Sequence, residues 1–286
     1  MTADVNPLVA LGARLWSMLE RNRRAVRDAL VVAGLARAFW YYAVQGVHPW
    51  EWLGIDARAY WRVDLAHPYA SSTLGGLSSY LYPPIFGQIL APLSALPFPV
   101  FFALWTALLV VVLAWLVRPW PWALLILALP ISYELLVGNI HLLIAAVVVL
   151  GFTSPGLWAF PLLTKITPGV GLVWFAVRRE WRALAGAVAV TAVAMGLSVL
   201  VSPGAWSDWL TFITANRNGG EAVLLRLAVA VALVAFAGLT DRPWLVAVGV
   251  WIAFPAVYVE TWVVLLAIIR LRRAAEPSIR WAERRS

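Results

Sequence analysis

Cysteine is absent from all 286 residues, which excludes disulfides, thiolate metal sites and a cysteine nucleophile together. Histidine occurs only three times, never at a helical ligand spacing, and neither His-x-x-x-His nor Asp-x-Asp is present, so no metal is expected. No glycine-rich phosphate loop exists, so a nucleotide sugar or ATP is not expected as a direct reactant, and no required cofactor is expected. Charge is scarce, at 13% of residues, and lysine occurs once, as Lys165. Met1 to Arg27 lacks the short apolar core and small-residue cleavage site of a signal peptide.

Apolar residues make up 63% of the chain and the mean hydropathy is +0.82, far outside the range of soluble globular domains. The composition predicts an all-α polytopic membrane protein. Many of the 18 tryptophans flank apolar runs, where indole favours the headgroup boundary. The net charge of +8 comes from arginines beside those runs rather than from a basic tail, which points to anionic lipid and topology and not to nucleic acid.

About 10 spans are expected, near 28–46, 98–117, 121–136, 140–153, 155–165, 168–177, 182–201, 222–239, 243–258 and 259–271. Several fall short of the ~20 residues of a full crossing, and Pro130, Pro155, Pro161, Pro168 and Pro255 mark expected breaks. One domain, 1–286, is expected: a cytoplasmic basic amphipathic segment 1–27, an external catalytic loop 47–97 with a juxtamembrane helix near 84–96, a second external loop 202–221 and a cytoplasmic tail 272–286. With the N-terminus inside, sixteen arginines fall on the inner side and four basic residues on the outer. This arrangement gathers Glu51, Asp56, Asp64, His67, Glu134, Asn139, His141, Lys165, Asp208, Asn216, Arg217, Asn218, Glu221 and Glu260 at or near the outer face. Ionisable groups at membrane depth are costly, so their convergence there predicts a polar site.

Asp56 and Tyr60 share a face if their segment is helical. A half-buried carboxylate there suits a general base for an acceptor hydroxyl, although an aspartate in this position also suits a helix cap. Lys165 suits a lipid phosphate as a point charge, or a snorkelling anchor, or a partner for Glu134. Arg58 and Arg62 are further phosphate candidates, or partners for Asp64. His67 and Tyr69 place an imidazole and an aromatic ring in the same external loop, where a loop histidine also suits simple exposure. In Tyr82-Pro83-Pro84 the prolines predict an extended approach, with Pro84 in the first turn of a helix.

The order of these motifs carries a resemblance. Gly54-x-Asp56-x-x-x-Tyr60, then His67-Pro68-Tyr69, Tyr82-Pro83-Pro84 and Ala91-Pro92-Leu93-x-x-Leu96-Pro97, resembles the first external loop of glycosyltransferase family 87. Gly138-Asn139-Ile140-His141-Leu142-Leu143, Leu163-Thr164-Lys165-Ile166-Thr167-Pro168, the turn Arg178 to Trp181 and Ser202 to Trp206 continue it. The resemblance implies the GT-C fold and a polyprenyl-phosphate sugar donor, with mannose the expected sugar. It further implies a lipid or glycan acceptor, a bacterial cytoplasmic membrane, and Asp56 as base on the external side. Lys165, Arg58 and Arg62 are then the expected donor-phosphate ligands. The pocket is expected to draw on Tyr60, His67, Tyr69, Tyr82, Glu134, Asn139, His141, Arg217 and Glu260. Val259-Glu260-Thr261-Trp262 stands where many members carry histidines before a tryptophan, so either Glu260 substitutes, or His141 reaches the same place, or activity is altered. A lipid transporter or flippase, and a family member acting only as a partner subunit, are the alternative readings.

Overall fold

The computed structural model describes residues 17–18, 20–45, 49–73, 76, 78–216 and 220–274; among them the chain is helical with no strand. The α-helices are α1 (Arg23–Phe39), α2 (Ile55–Trp61), α3 (Pro84–Ser94), α4 (Phe98–Val117), α5 (Ala123–Ile126), α6 (Ala128–Val137) and α7 (His141–Leu150). They continue as α8 (Ala159–Leu162), α9 (Val173–Val177), α10 (Trp181–Val201), α11 (Pro203–Ala215), α12 (Gly220–Leu239), α13 (Trp244–Ile252) and α14 (Ala267–Ala274).

Among the described residues three helices are long and apolar enough to cross a membrane: α4, α10 and α12 over Ala222–Leu239. The pair α6 and α7, bent by 111°, makes a fourth if taken as one broken span. The expectation of about ten spans is therefore met in class but not in number. Pro155 and Pro168 open 3₁₀ turns, Pro155–Trp158 and Thr167–Leu172, that cut the apolar stretch 155–177 into short pieces. The run 259–271 likewise begins as a 3₁₀ segment, Val259–Leu266, before α14. The expected second loop, 202–221, is largely the helix α11.

α10 shows why lipid is required as solvent. Only Ala187 and Ser198 are buried along it, while Val188, Val190, Val193, Leu197, Leu200 and Val201 are exposed. A helix apolar on all sides and exposed on most of them is stable only in hydrocarbon.

The long helices share a polarity. α4 starts at Phe98, beside α2, and ends near Trp115, whose carbonyl accepts from Arg270 Nε at 2.8 Å. α12 ends where Gly238 and Asp241 accept from the Arg178 guanidinium, at 3.3 and 2.7 Å. α10 leaves that same turn and finishes at Ser198, which bonds Gln88 of α3 and Trp206 of α11. Arg178, Arg270 and Arg272 lie over the rings of Trp174, Trp115 and Trp244 at 4.9, 4.8 and 5.1 Å. One end of the bundle thus carries Arg178, Arg270 and Arg272 on tryptophans, and the other carries α2, with Arg58 and Arg62, and α3.

Candidate functional site

Two glycines press α2 onto the bend between α6 and α7. Gly54, at φ 66°, caps the start of α2 and donates to Leu136 O at 2.7 Å; a Cβ there would stand 2.7 Å from the Phe98 ring. Gly138, at φ 73°, ends α6, and its Cβ would stand 2.8 Å from that of Ala57. Both positions need the positive φ and the missing side chain that glycine supplies. Trp105 of α4 donates to Gly138 O at 2.8 Å and holds the turn from behind.

Glu134 and His141 staple the bend. Glu134 is fully buried; its Oε1 accepts from the Leu142 amide at 3.0 Å and its Oε2 pairs with His141 Nδ1 at 2.9 Å. The first amides of a helix lack intrahelical acceptors and carry partial positive charge, so a carboxylate at the start of α7 satisfies both needs. Phe254 packs edge-on against His141 at 5.0 Å and closes the pair from α13's side. Glu134 thus makes its hydrogen bonds with His141 and the Leu142 amide, and reaches Lys165 only through its charge.

Between the glycine turns lies the polar centre. Asp56, part-buried in the first turn of α2, accepts from Asn139 Nδ2 at 2.6 Å. Asn139 Oδ1 accepts from the Ile140 amide at 2.8 Å and faces the Tyr82 hydroxyl at 3.5 Å. The Tyr82 hydroxyl shares a hydrogen bond with Tyr60 at 3.0 Å, one turn beyond Asp56 on the same face. Lys165 Nζ lies 5.0 Å from the centroid of the Tyr82 ring. Burial pushes the Asp56 carboxyl above its ordinary 3.8, and the charge of Lys165 is the largest influence opposing that rise. For Lys165 burial works against the ammonium, yet Tyr82, Asp56 and Glu134 outweigh it and the pKa stands above 10.5, so the group is charged at neutral pH. The arrangement sets a carboxyl whose hold on a proton is strengthened by burial within the field of the Lys165 ammonium.

Lys165 is aimed by a strained turn. Ile166 has φ 60° and ψ −66°, and the Thr167 amide bonds back to Lys165 O at 2.8 Å, a γ-turn of the positive-φ kind that a β-branched residue seldom adopts. The Ile166 side chain is thrown outward, 44% exposed, while Lys165 faces inward.

Other expected site residues lie apart from this centre. Arg58 stands over the Phe98 ring at 4.1 Å, and Arg62 is exposed, 5.9 Å from the Trp61 ring. Asp64 closes its own turn by accepting from the Ala66 amide at 2.9 Å, and His67 and Glu51 are exposed. Tyr69 is buried, donates to Tyr82 O at 2.7 Å and stacks on Phe212, so it supports Tyr82 from outside the centre. Glu260, in the 3₁₀ segment Val259–Leu266 against α6 and α7, is 4% exposed, and its Oε2 has no hydrogen-bond partner among the described residues. Arg217, Asn218 and the Glu221 side chain lie outside the described residues.

Tyr80 escaped the sequence reading. Its hydroxyl donates to Pro83 O at 2.8 Å and accepts from the Gly87 amide at 2.7 Å, locking the start of α3, which does begin at Pro84 as expected. The signal available was the alternation Tyr80-x-Tyr82 before two prolines.

A sequence model of glycosyltransferase family 87 matches residues 80–283. The matched stretch contains Tyr82, Glu134, Asn139, His141, Lys165 and Glu260; α2 precedes it, and Asp56 joins it through the bond to Asn139. No curated protein and no solved structure matches the chain. Because the match covers well over half of a chain whose long apolar helices fit a membrane, this chain belongs to glycosyltransferase family 87 and is a membrane glycosyltransferase by that membership.

Proposed function

We propose that the protein moves a sugar, with mannose the leading candidate, from a polyprenyl-phosphate donor to a lipid or glycan hydroxyl at the external face of a bacterial cytoplasmic membrane. The observation that carries the reading is the 2.6 Å bond joining Asp56 to Asn139 beside the ammonium of Lys165. Asp56 takes the acceptor hydroxyl's proton as the acceptor oxygen attacks the anomeric carbon. The bond from that carbon to the phosphate oxygen breaks, and the lipid phosphate leaves with the electron pair. Lys165 offsets charge on the departing phosphate, which is the fixed electrostatic stabilisation that contributes most in many enzymes. In-line attack inverts the anomeric centre. The prenyl chain stays in lipid beside the exposed apolar helices.

The test is purified protein in lipid bilayers, given a panel of polyprenyl-phosphate sugars, with release of polyprenyl phosphate measured. Asp56→Asn is expected to lower turnover at least ~100-fold, the lower range for loss of a general base. Asp64→Asn, which alters only a turn, is the control and is expected to cost far less. Near-native turnover in Asp56→Asn would remove the assignment, and labelled lipid bound but never cleaved by the native chain would favour a carrier. A base acts only when deprotonated. Since burial raises Asp56, the acid limb of the rate profile is expected at higher pH than an ordinary aspartate gives.

A further inference from the structure

Asn139 has a donor end and an acceptor end, and its neighbours leave no choice about which end points where. The Ile140 amide at 2.8 Å has only a proton to offer, so the atom it meets is the carbonyl Oδ1. The Tyr82 hydroxyl approaches the same oxygen at 3.5 Å. The amide nitrogen is thereby turned to Asp56, where it donates to Oδ2 at 2.6 Å. Asn139 is itself 5% exposed and sits on the turn that Gly138 and Trp105 hold, so its orientation is fixed by backbone. Asp56 Oδ1 accepts no hydrogen bond from a described residue, and Asp56 keeps partial exposure.

We propose that Asn139 is a positioning residue that occupies Oδ2 of Asp56 and so selects Oδ1 as the oxygen that takes the acceptor's proton. The proposal rests on Asp56 being the base. It differs from a pocket role for Asn139, in which the amide would hold the sugar. A carboxylate free to rotate offers either oxygen at varying distance, whereas one pinned through Oδ2 presents Oδ1 to the acceptor in one fixed position. The donated N–H also favours the ionised form, in concert with Lys165 and against burial. The remaining titratable groups around Asp56 are Tyr60 on α2, Tyr82 ahead of α3, Tyr133 and Glu134 on α6, His141 on α7, and Glu260. None of these is altered in the variants below.

The experiment follows polyprenyl-phosphate release from polyprenyl-phosphate mannose, or from whichever panel donor the native protein cleaves, across pH and donor concentration. Asn139→Leu is expected to lower kcat at least ~10-fold, below the ~100-fold expected for losing the base itself, with the donor KM within twofold. Asn139→Asp keeps the shape but sets a second carboxylate against Asp56, so the acid limb is expected to move to higher pH. On an Asp56→Asn background, adding Asn139→Leu is expected to cost nothing further, because a residue acting through Asp56 has nothing left to position. A raised donor KM with an unmoved acid limb, or a full additional loss on the Asp56→Asn background, would overturn the proposal in favour of a sugar contact. If Asn139→Leu does not fold, Asn139→Asp carries the test by its acid limb alone, and an unmoved limb overturns the proposal. Native-like activity in Asp56→Asn defeats the base assignment itself. An inactive Asp56→Asn beside an unimpaired Asn139→Leu defeats only the positioning role.

Discussion

Lys165 is the single lysine of the chain, placed where 21 arginines were available to evolution elsewhere, and its setting explains the choice. It lies on the face of Tyr82 within the field of Asp56, where a compact ammonium acts as a point charge and a planar guanidinium would present its charge and donors in a different geometry. Lys165→Met is expected to weaken donor use severely, while Lys165→Arg keeps the charge, alters the geometry and retains part of it. Equal behaviour of the two variants, or an unchanged apparent donor affinity in Lys165→Met, would reduce Lys165 to an anchor. The sequence made Asp56 and Lys165 visible because each is a rare polar residue beside long apolar runs. It hid the difference between them and Arg58. On a helix each residue turns about 100°, so position 58 lies about 200° round from position 56. If Asp56 and Tyr60 face the centre, Arg58 must face elsewhere, and it rests on Phe98. The periodicity needed for that deduction was in the sequence; what was missing was which face of α2 turns inward.

The short elements around the site are held by backbone contacts that only glycine permits and by one strained turn. At Ile166 the positive φ stores ~1–3 kcal/mol, against which a glycine's extra chain entropy costs ~0.5–1 kcal/mol. Ile166→Gly is therefore expected to leave the melting temperature unchanged or raise it, with weaker donor affinity as Lys165 loses its fixed aim. A clear fall in melting temperature would show the turn to be unstrained. Gly171 presents the opposite case, since its added Cβ would meet the fully buried ring of Trp158. Gly171→Ala is expected to cost ~1–3 kcal/mol by overpacking. Gly196, in the middle of α10 with nothing within 4 Å of its Cβ, supplies the contrast: there alanine is expected to be neutral or to stabilise by up to ~1 kcal/mol. Both are read from thermal unfolding in one detergent. Element boundaries were only partly legible. The start of α3 announced itself through Pro84, and α4 and α10 through uninterrupted apolar runs. The runs at 155–165, 168–177 and 259–271 look the same by composition, yet they fold as 3₁₀ turns and short helices, because hydropathy records how apolar a stretch is and not whether its backbone continues.

Over the whole molecule, the polar centre and the arginine-rich end lie at opposite ends of α4, a 20-residue helix about 30 Å long, the thickness of a hydrocarbon core. At the arginine end Arg270 bonds Trp115 O and lies over the Trp115 ring, while Arg178 ties α9 to the end of α12. Arginine concentrates on the cytoplasmic side of membrane proteins, so this polarity favours the proposed placement of the Asp56 centre on the outer side. The absence of cysteine makes the orientation directly testable. Ser71, exposed in the segment between α2 and α3, becomes Ser71→Cys; Thr240, exposed beyond α12 next to Asp241, becomes Thr240→Cys. In intact cells an impermeant thiol reagent is expected to label the first and spare the second, and permeabilisation is expected to expose the second. Reversed labelling would put Asp56 inside, where the proposed donor would have to be drawn from the inner leaflet. Labelling of both in sealed cells would mean that the α12 turn does not lie across the membrane from α2, and the proposed path of α4 between the two faces would fall with it.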